Sequence, residues 1–179
     1  MDNLVEVHGL KMHFPITEGF FFNKNLSLVK AVDGINFNIK KGETLGLVGE
    51  SGCGKTTTGR CILQLEKATE GKILFEGQDL TQLDSSELSP LRQKIQVIFQ
   101  DPYSSLNPRL KIRDTIAEPM KVHNIQPDPI SRNKRVAELL NICGLPSVMA
   151  DRYPHEMSGG QRQRVGIARA LSLNPEFII

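Results

Sequence analysis

Cysteine is scarce in this chain: Cys53, Cys61 and Cys143 are an odd number and sit at no metal-ligand spacing. That excludes a disulfide framework and fits a reducing compartment, so an intracellular protein is expected. An excess of one charge is lacking as well. Lysine and arginine number 22 against 20 aspartates and glutamates, a net +2 with the basic residues scattered, which leaves no electrostatic footprint for a nucleic acid. Long hydrophobic runs are missing, and no stretch approaches the roughly 18 apolar residues of a membrane span. The opening residues, Met1 to Glu6, are acidic and alternate polar with apolar, unlike the basic and then apolar regions of a secretory signal. Internal repeats and low-complexity segments are absent too. With 39% hydrophobic residues and 15 glycines, the 179 residues have a globular composition that excludes disordered and collagen-like classes.

What is present reads as an α/β chain. Val5 and Val7, then Leu10, Met12 and Phe14, alternate with polar neighbours, as do Ile35, Phe37 and Ile39, so both segments predict half-buried strands. The loop between them carries Phe20-Phe21-Phe22, which reads as hairpin packing or as a partner contact. After the turn Lys41-Gly42-Glu43, the apolar run Thr44–Gly49 predicts a strand buried on both faces. A helix follows near 55–66, then a strand at Lys72–Phe75 and a turn at Gly77. Asp84 and Glu87 have capping-box spacing and start a short helix. Ile95, Val97, Ile98 and Phe99 predict a strand that runs into Gln100. From about 104 to 157, prolines punctuate segments of helical spacing, such as Val136, Leu139, Leu140 and Cys143. Ser158 opens a last helix with Val165, Ala168 and Leu171 on one stripe, and a strand begins at Phe177.

Gly49-Glu50-Ser51-Gly52-Cys53-Gly54-Lys55-Thr56 satisfies the Gly-four-residues-Gly-Lys-Thr pattern, between an expected strand and an expected helix. Glycines at these places let consecutive backbone N–H groups turn inward around a β-phosphate, where the helix N-terminus adds about half a positive charge. Lys55 would reach the β- and γ-phosphates and the Thr56 hydroxyl would coordinate Mg²⁺. The nucleotide-binding residues are expected at Gly49, Glu50, Ser51, Gly52, Cys53, Gly54, Lys55, Thr56 and Thr57. Cys53 also reads simply as a tolerated small residue.

Ser158-Gly159-Gly160-Gln161 is on its own a capping box, which needs no ligand. Two glycines in a first helical turn, however, cost about 1 kcal/mol each relative to alanine. Close approach of a ligand to the backbone explains that cost, and a helix N-terminus with a serine hydroxyl suits a phosphate.

Extended to Arg162-Gln163-Arg164, this stretch resembles the signature motif of ATP-binding-cassette ATPases. With the phosphate loop and with Gln100 between the two, the resemblance covers nearly the whole chain. Lys30 to Ile35, Gly46 to Lys55, Phe99-Gln100-Asp101-Pro102-Tyr103-Ser104-Ser105-Leu106-Asn107-Pro108-Arg109 and Tyr153-Pro154-His155-Glu156 are similar to the ATP-binding subunits of bacterial oligopeptide and dipeptide importers. The resemblance implies an α/β fold: a P-loop NTPase core with an antiparallel N-terminal β-subdomain (1–45), an ATP-binding core (46–100), a helical subdomain (101–157), and the signature helix with the start of the next core strand (158–179).

It further implies that Ser158, Gly159, Gly160 and Gln161 contact the γ-phosphate of ATP held by the phosphate loop of a second cassette. Gln100 matches the glutamine loop, which senses Mg²⁺ and the attacking water; alone it would read as a polar residue at a strand end. Lys55 and Gln100 are therefore the expected catalytic residues, and Thr56 and Gln100 the metal ligands. Phe14 matches the aromatic that stacks on adenine, with a core phenylalanine, or Phe20, Phe21 or Phe22 in that role, as alternatives. The implied function is the energy-coupling ATPase of a peptide importer, at the cytoplasmic face of the membrane, with ATP and Mg²⁺ bound between two cassettes. Its implied partners are membrane permease subunits and, indirectly, an extracytoplasmic solute-binding protein, with no nucleic acid. The family's Asp-Glu pair and switch histidine fall beyond Ile179, and none of His8, His13, His123 or His155 takes the latter place, so little or no ATPase activity is expected of these 179 residues alone. A soluble cassette ATPase of DNA repair or translation, and a truncated nucleotide-binding module, are the alternatives.

Overall fold

A computed structural model describes residues 3–16, 27–103 and 105–179. Phe20, Phe21, Phe22 and Ser104 lie outside the described residues. The chain divides into two compact units, Met1–Leu88 and Ser89–Ile179.

The first unit is built on strand β1 (Asn3–Ile16), which pairs antiparallel with β2 (Ser27–Lys40) on one edge and with β3 (Glu70–Phe75) on the other; β4 (Gln78–Asp79) extends the sheet beside β3. The apolar alternation along β1 changes phase between Val7 and Leu10. There the pairing register slips and Gly9 takes φ 57°, a bulge whose extra residue keeps Val5, Val7, Leu10 and Met12 all on the buried face. Ile73 and Phe75 of β3 and Leu80 complete this core. The antiparallel sheet thus draws two strands from the 46–100 segment.

Helix α1 (Lys55–Ile62) is shorter than the expected 55–66. Helix α2 (Ser85–Lys94) begins as the capping box predicts: Asp84 Oδ1 accepts from the Glu87 amide at 2.9 Å, and Glu87 Oε2 accepts from the Asp84 amide at 2.9 Å.

Two strand expectations are corrected. Thr44–Gly49 forms no strand, and its apolar side chains face solvent, with Val48 91% exposed. A doubly buried strand needs backbone partners on its edges as well as apolar side chains, and among the described residues this run has no ladder partner. The second concerns β5 (Ile95–Gln96), which pairs parallel with β6 (Phe177–Ile178). Backbone bonds from Ile98 to the Ile179 carbonyl (2.9 Å) and from Ile179 to the Gln96 carbonyl (3.0 Å) carry the pairing as far as Ile98. Phe99 and Gln100 lie past it and are exposed, so Gln100 sits at a bend after the pairing ends, not at a strand end.

The rest of the second unit carries three α-helices among the described residues. Helices α3 (Ile112–Val122), α4 (Pro129–Ile142) and α5 (Gly159–Leu171) enclose Ile112, Ile116, Met120, Leu139, Leu140 and Val165. Asp128 caps α4 by accepting from the Ser131 amide at 2.8 Å, with Pro129 at the first helical position. Val165 and Ala168 of the expected α5 stripe are buried, and Leu171 partly so.

Candidate nucleotide-binding site

The phosphate loop spans Gly49 to Thr56 in the first unit and leads directly into α1. Gly54 is the N-cap, at φ 94° and ψ 3°, a left-handed conformation that side chains strongly disfavour. A Cβ at this position would also collide with the Ala31 carbonyl of β2, so only glycine lets the loop pass this close to the sheet. Gly52, at φ 85°, makes the preceding turn, which the Cys53 amide closes onto the Glu50 carbonyl at 3.3 Å. Thr58, buried, locks the helix start by giving both its amide (2.8 Å) and its hydroxyl (3.0 Å) to the Gly54 carbonyl.

This geometry leaves the amides of Lys55, Thr56 and Thr57 as the first of the helix, without intrahelical acceptors and at the positive end of its dipole. Lys55 folds its ammonium back over the loop. It donates to the carbonyls of Gly49 at 2.8 Å and Glu50 at 2.6 Å, and lies 3.4 Å from Cys53 Sγ. The cation is therefore held inside the loop by neutral oxygens that a phosphate can replace with a charged one. Thr56 is exposed at the second position of α1, where its hydroxyl offers a hard oxygen donor. No group of three or more His, Cys, Asp or Glu capable of holding a metal occurs among the described residues. Mg²⁺ fits this donor set, because it favours one or two protein oxygens with the remainder from phosphates and water. Of the three cysteines only Cys53 is exposed; burial pushes the Cys61 thiol up from its ordinary value and leaves it inert.

In the second unit Ser158 caps α5. Its hydroxyl accepts from the Gln161 amide at 3.3 Å, and Gln161 Oε1 accepts from the Ser158 amide at 3.0 Å. A Cβ on Gly160 would meet open space, so the first turn presents bare backbone outward. Phe14 pairs with Val29 across the antiparallel β1–β2 pair and is 36% exposed, so it is not part of the buried core. The loop residues are thus gathered in the first unit, and Gln100 and the Ser158–Gln161 turn belong to the second.

Sequence reasoning missed the Ala31 carbonyl as the wall behind Gly54, the Tyr103–Arg162 contact beside the signature turn, and Arg169 in the last turn of α5. Motif spacing carries no signal for the first, since a β2 backbone atom makes that contact. The seven-residue spacing of Arg162 and Arg169 was a usable sign that the two share one helix face.

A glycine-capped phosphate loop on an α/β scaffold, followed by a serine-capped Gly-Gly turn on a helical unit, defines the class of P-loop ATP-binding cassettes. The chain belongs to the ABC transporter family, matched over residues 32–179. It is 54% identical, over 99% of its length, to the oligopeptide transport ATP-binding protein AppF of Bacillus subtilis, of which it covers 54%. It is 52% identical, over 98% of its length, to the glutathione import ATP-binding protein GsiA of Pectobacterium atrosepticum, of which it covers 28%. Among solved structures, the ATP-binding cassette MJ0796, dimeric and in a post-hydrolysis state with ADP and Pi, superposes with a TM-score of 0.84 at 32% identity, covering 97% of this chain and 72% of that one. The chain spans about half the length of curated relatives such as AppF. No helix among the described residues is long and apolar enough to cross a membrane.

Proposed function

We propose that the chain is the ATP-binding, energy-coupling cassette of a bacterial importer for oligopeptides or dipeptides. The observation that carries the reading is the phosphate loop, in which Gly54 adopts a conformation reserved for glycine and Lys55 is already poised over the loop carbonyls. The names of relatives such as AppF and GsiA support peptides as cargo.

In this reading Gly49 to Thr57 wrap the β- and γ-phosphates with backbone amides, and Lys55 leaves the Gly49 and Glu50 carbonyls to neutralise them. Phe14 stacks on adenine. Thr56 and Gln100 are the residues that would hold Mg²⁺, and the ion would neutralise charge developing in phosphoryl transfer. Ser158, Gly159, Gly160 and Gln161 act in trans, closing on the γ-phosphate of ATP in a second cassette, so that two ATP molecules are sandwiched in a head-to-tail dimer. Binding closes the dimer, and hydrolysis with product release reopens it. The segment after Gln100 and the helical unit carry this motion to permease subunits from the cytoplasmic face, while an extracytoplasmic solute-binding protein delivers the peptide.

Uptake of a labelled di- or oligopeptide by cells of the source organism tests this. Deleting the gene should abolish uptake, and the full-length gene should restore it while its Lys55→Ala version should not. Undiminished uptake in the deletion strain would refute peptide import.

A further inference from the structure

Shortly after Gln100, Tyr103 and Ser105 each meet an arginine of α5. Arg162 and Arg169 are seven residues apart, hence two turns apart on the same face. The Arg162 guanidinium carbon sits 4.1 Å from the centre of the Tyr103 ring, and its Nε donates to the Pro154 carbonyl at 2.7 Å. Arg169 Nη1 donates to the Ser105 carbonyl at 2.7 Å. Leu106 then enters the helical core. Tyr103 is fixed at its own backbone, where its amide donates to Asp101 Oδ1 at 2.8 Å. Its hydroxyl and ring edge lie 3.9 Å from where a Cβ on Gly159 would stand. The ring thus lies under Arg162 with its edge turned toward the side of Gly159 where a side chain would stand, and 65% of Tyr103 is exposed.

Burial does not account for this arrangement, since an exposed tyrosine gains little from packing. A charged side chain stacked on the ring and hydrogen-bonded to Pro154, in the turn before Ser158, instead joins three segments: the stretch after Gln100, the turn at 154–156 and the start of α5. We propose that Tyr103 and Arg162 form a positioning pair that holds the Gly159–Gly160 backbone in place for the γ-phosphate of ATP on a second copy of this chain, and that seats it only while the segment after Gln100 is docked. Arg169 anchors the far end of that segment. The proposal rests on the trans role given to Ser158–Gln161 above.

The test separates nucleotide binding from dimerisation. Affinity for a fluorescent ATP analogue and self-association in saturating MgATP, followed by analytical ultracentrifugation, are measured on this chain and on Tyr103→Phe, Tyr103→Ala, Arg162→Ala and the double alanine variant. A cation over an exposed ring contributes a few-fold per site, and a symmetric dimer contains two such sites, so each alanine variant should weaken ATP-driven dimerisation by about tenfold. Mononucleotide affinity should stay unchanged. Tyr103→Phe keeps the ring and should dimerise as the unaltered chain does, and the double variant should lose no more than one single variant, because the two residues act as a unit. Far-UV circular dichroism identifies any variant that has lost its fold, in which case Arg162→Lys takes the place of Arg162→Ala. Unchanged dimerisation in the alanine variants, or a double variant whose loss is the product of the single losses, would overturn the pairing. If Ser158→Ala leaves ATP-driven dimerisation untouched, the trans reading itself fails, and this proposal with it.

Discussion

Gly54 carries two constraints at once: a left-handed backbone and the Ala31 carbonyl where a Cβ would stand. Replacing it with alanine should therefore cost about 2 kcal/mol or more in urea unfolding, from the backbone strain alone before the collision is relieved. It should also abolish ATP binding; retained affinity would show that the loop tolerates another path. Ser158 makes a complete capping box, and Ser158→Ala should lower stability by about 1 kcal/mol in the same measurement. At this scale the sequence was highly legible. The loop glycines, Lys55 and the Ser158–Gln161 box are chemical requirements written as residue types, and the structure gives Gly54 and Ser158 the cap positions their types suggest. Tyr103 and Arg162 were not legible, because a tyrosine stacked on an arginine has no fixed spacing, and only folding brings residues 103 and 162 together.

Among elements, legibility followed whether the stabilising partner is local. Caps are local, so the Asp84 capping box was readable, whereas the bulge between Val7 and Leu10 reads in the sequence as unbroken alternation and shows only in the pairing register. Strand pairing is not local: Thr44–Gly49 has the composition of a buried strand and lacks a partner, and the strand expected to reach Gln100 stops pairing at Ile98.

The caps also give an acid signature. Bonds from the Ser86 hydroxyl and the Glu87 and Ser86 amides hold the Asp84 carboxyl below its usual range, and the Ser131 amide and hydroxyl do the same for Asp128. A carboxylate whose pKa is lower folded than unfolded stabilises the fold above its unfolded value, near 3.9, and loses that contribution as pH falls through the folded value. Melting temperature should therefore drop on going from pH 6 to pH 3, and Asp84→Asn with Asp128→Asn, which keep neutral caps, should shallow that drop. An unchanged acid slope would assign the effect elsewhere. In the helical core, Met120 and Leu140 are fully buried, and Leu140→Ala should cost about 2–5 kcal/mol by opening a cavity, read by chemical denaturation.

For the molecule as a whole, the groups proposed to contact nucleotide fall in two compact units, with the phosphate loop in one and Gln100 and the signature turn in the other. In the proposed reading, phosphate recognition rests on the backbone amides at the start of α1 and on Lys55. That makes nucleotide affinity depend on few groups. The most direct measurement is calorimetric titration of MgATP into this chain and its Lys55→Ala variant. A charge-assisted bond of about 1.5–3 kcal/mol predicts saturable binding that weakens about tenfold or more when the ammonium is removed. Equal affinity in the two proteins, or no binding to the unaltered chain, would contradict the assignment of Gly49–Thr57 as an ATP site.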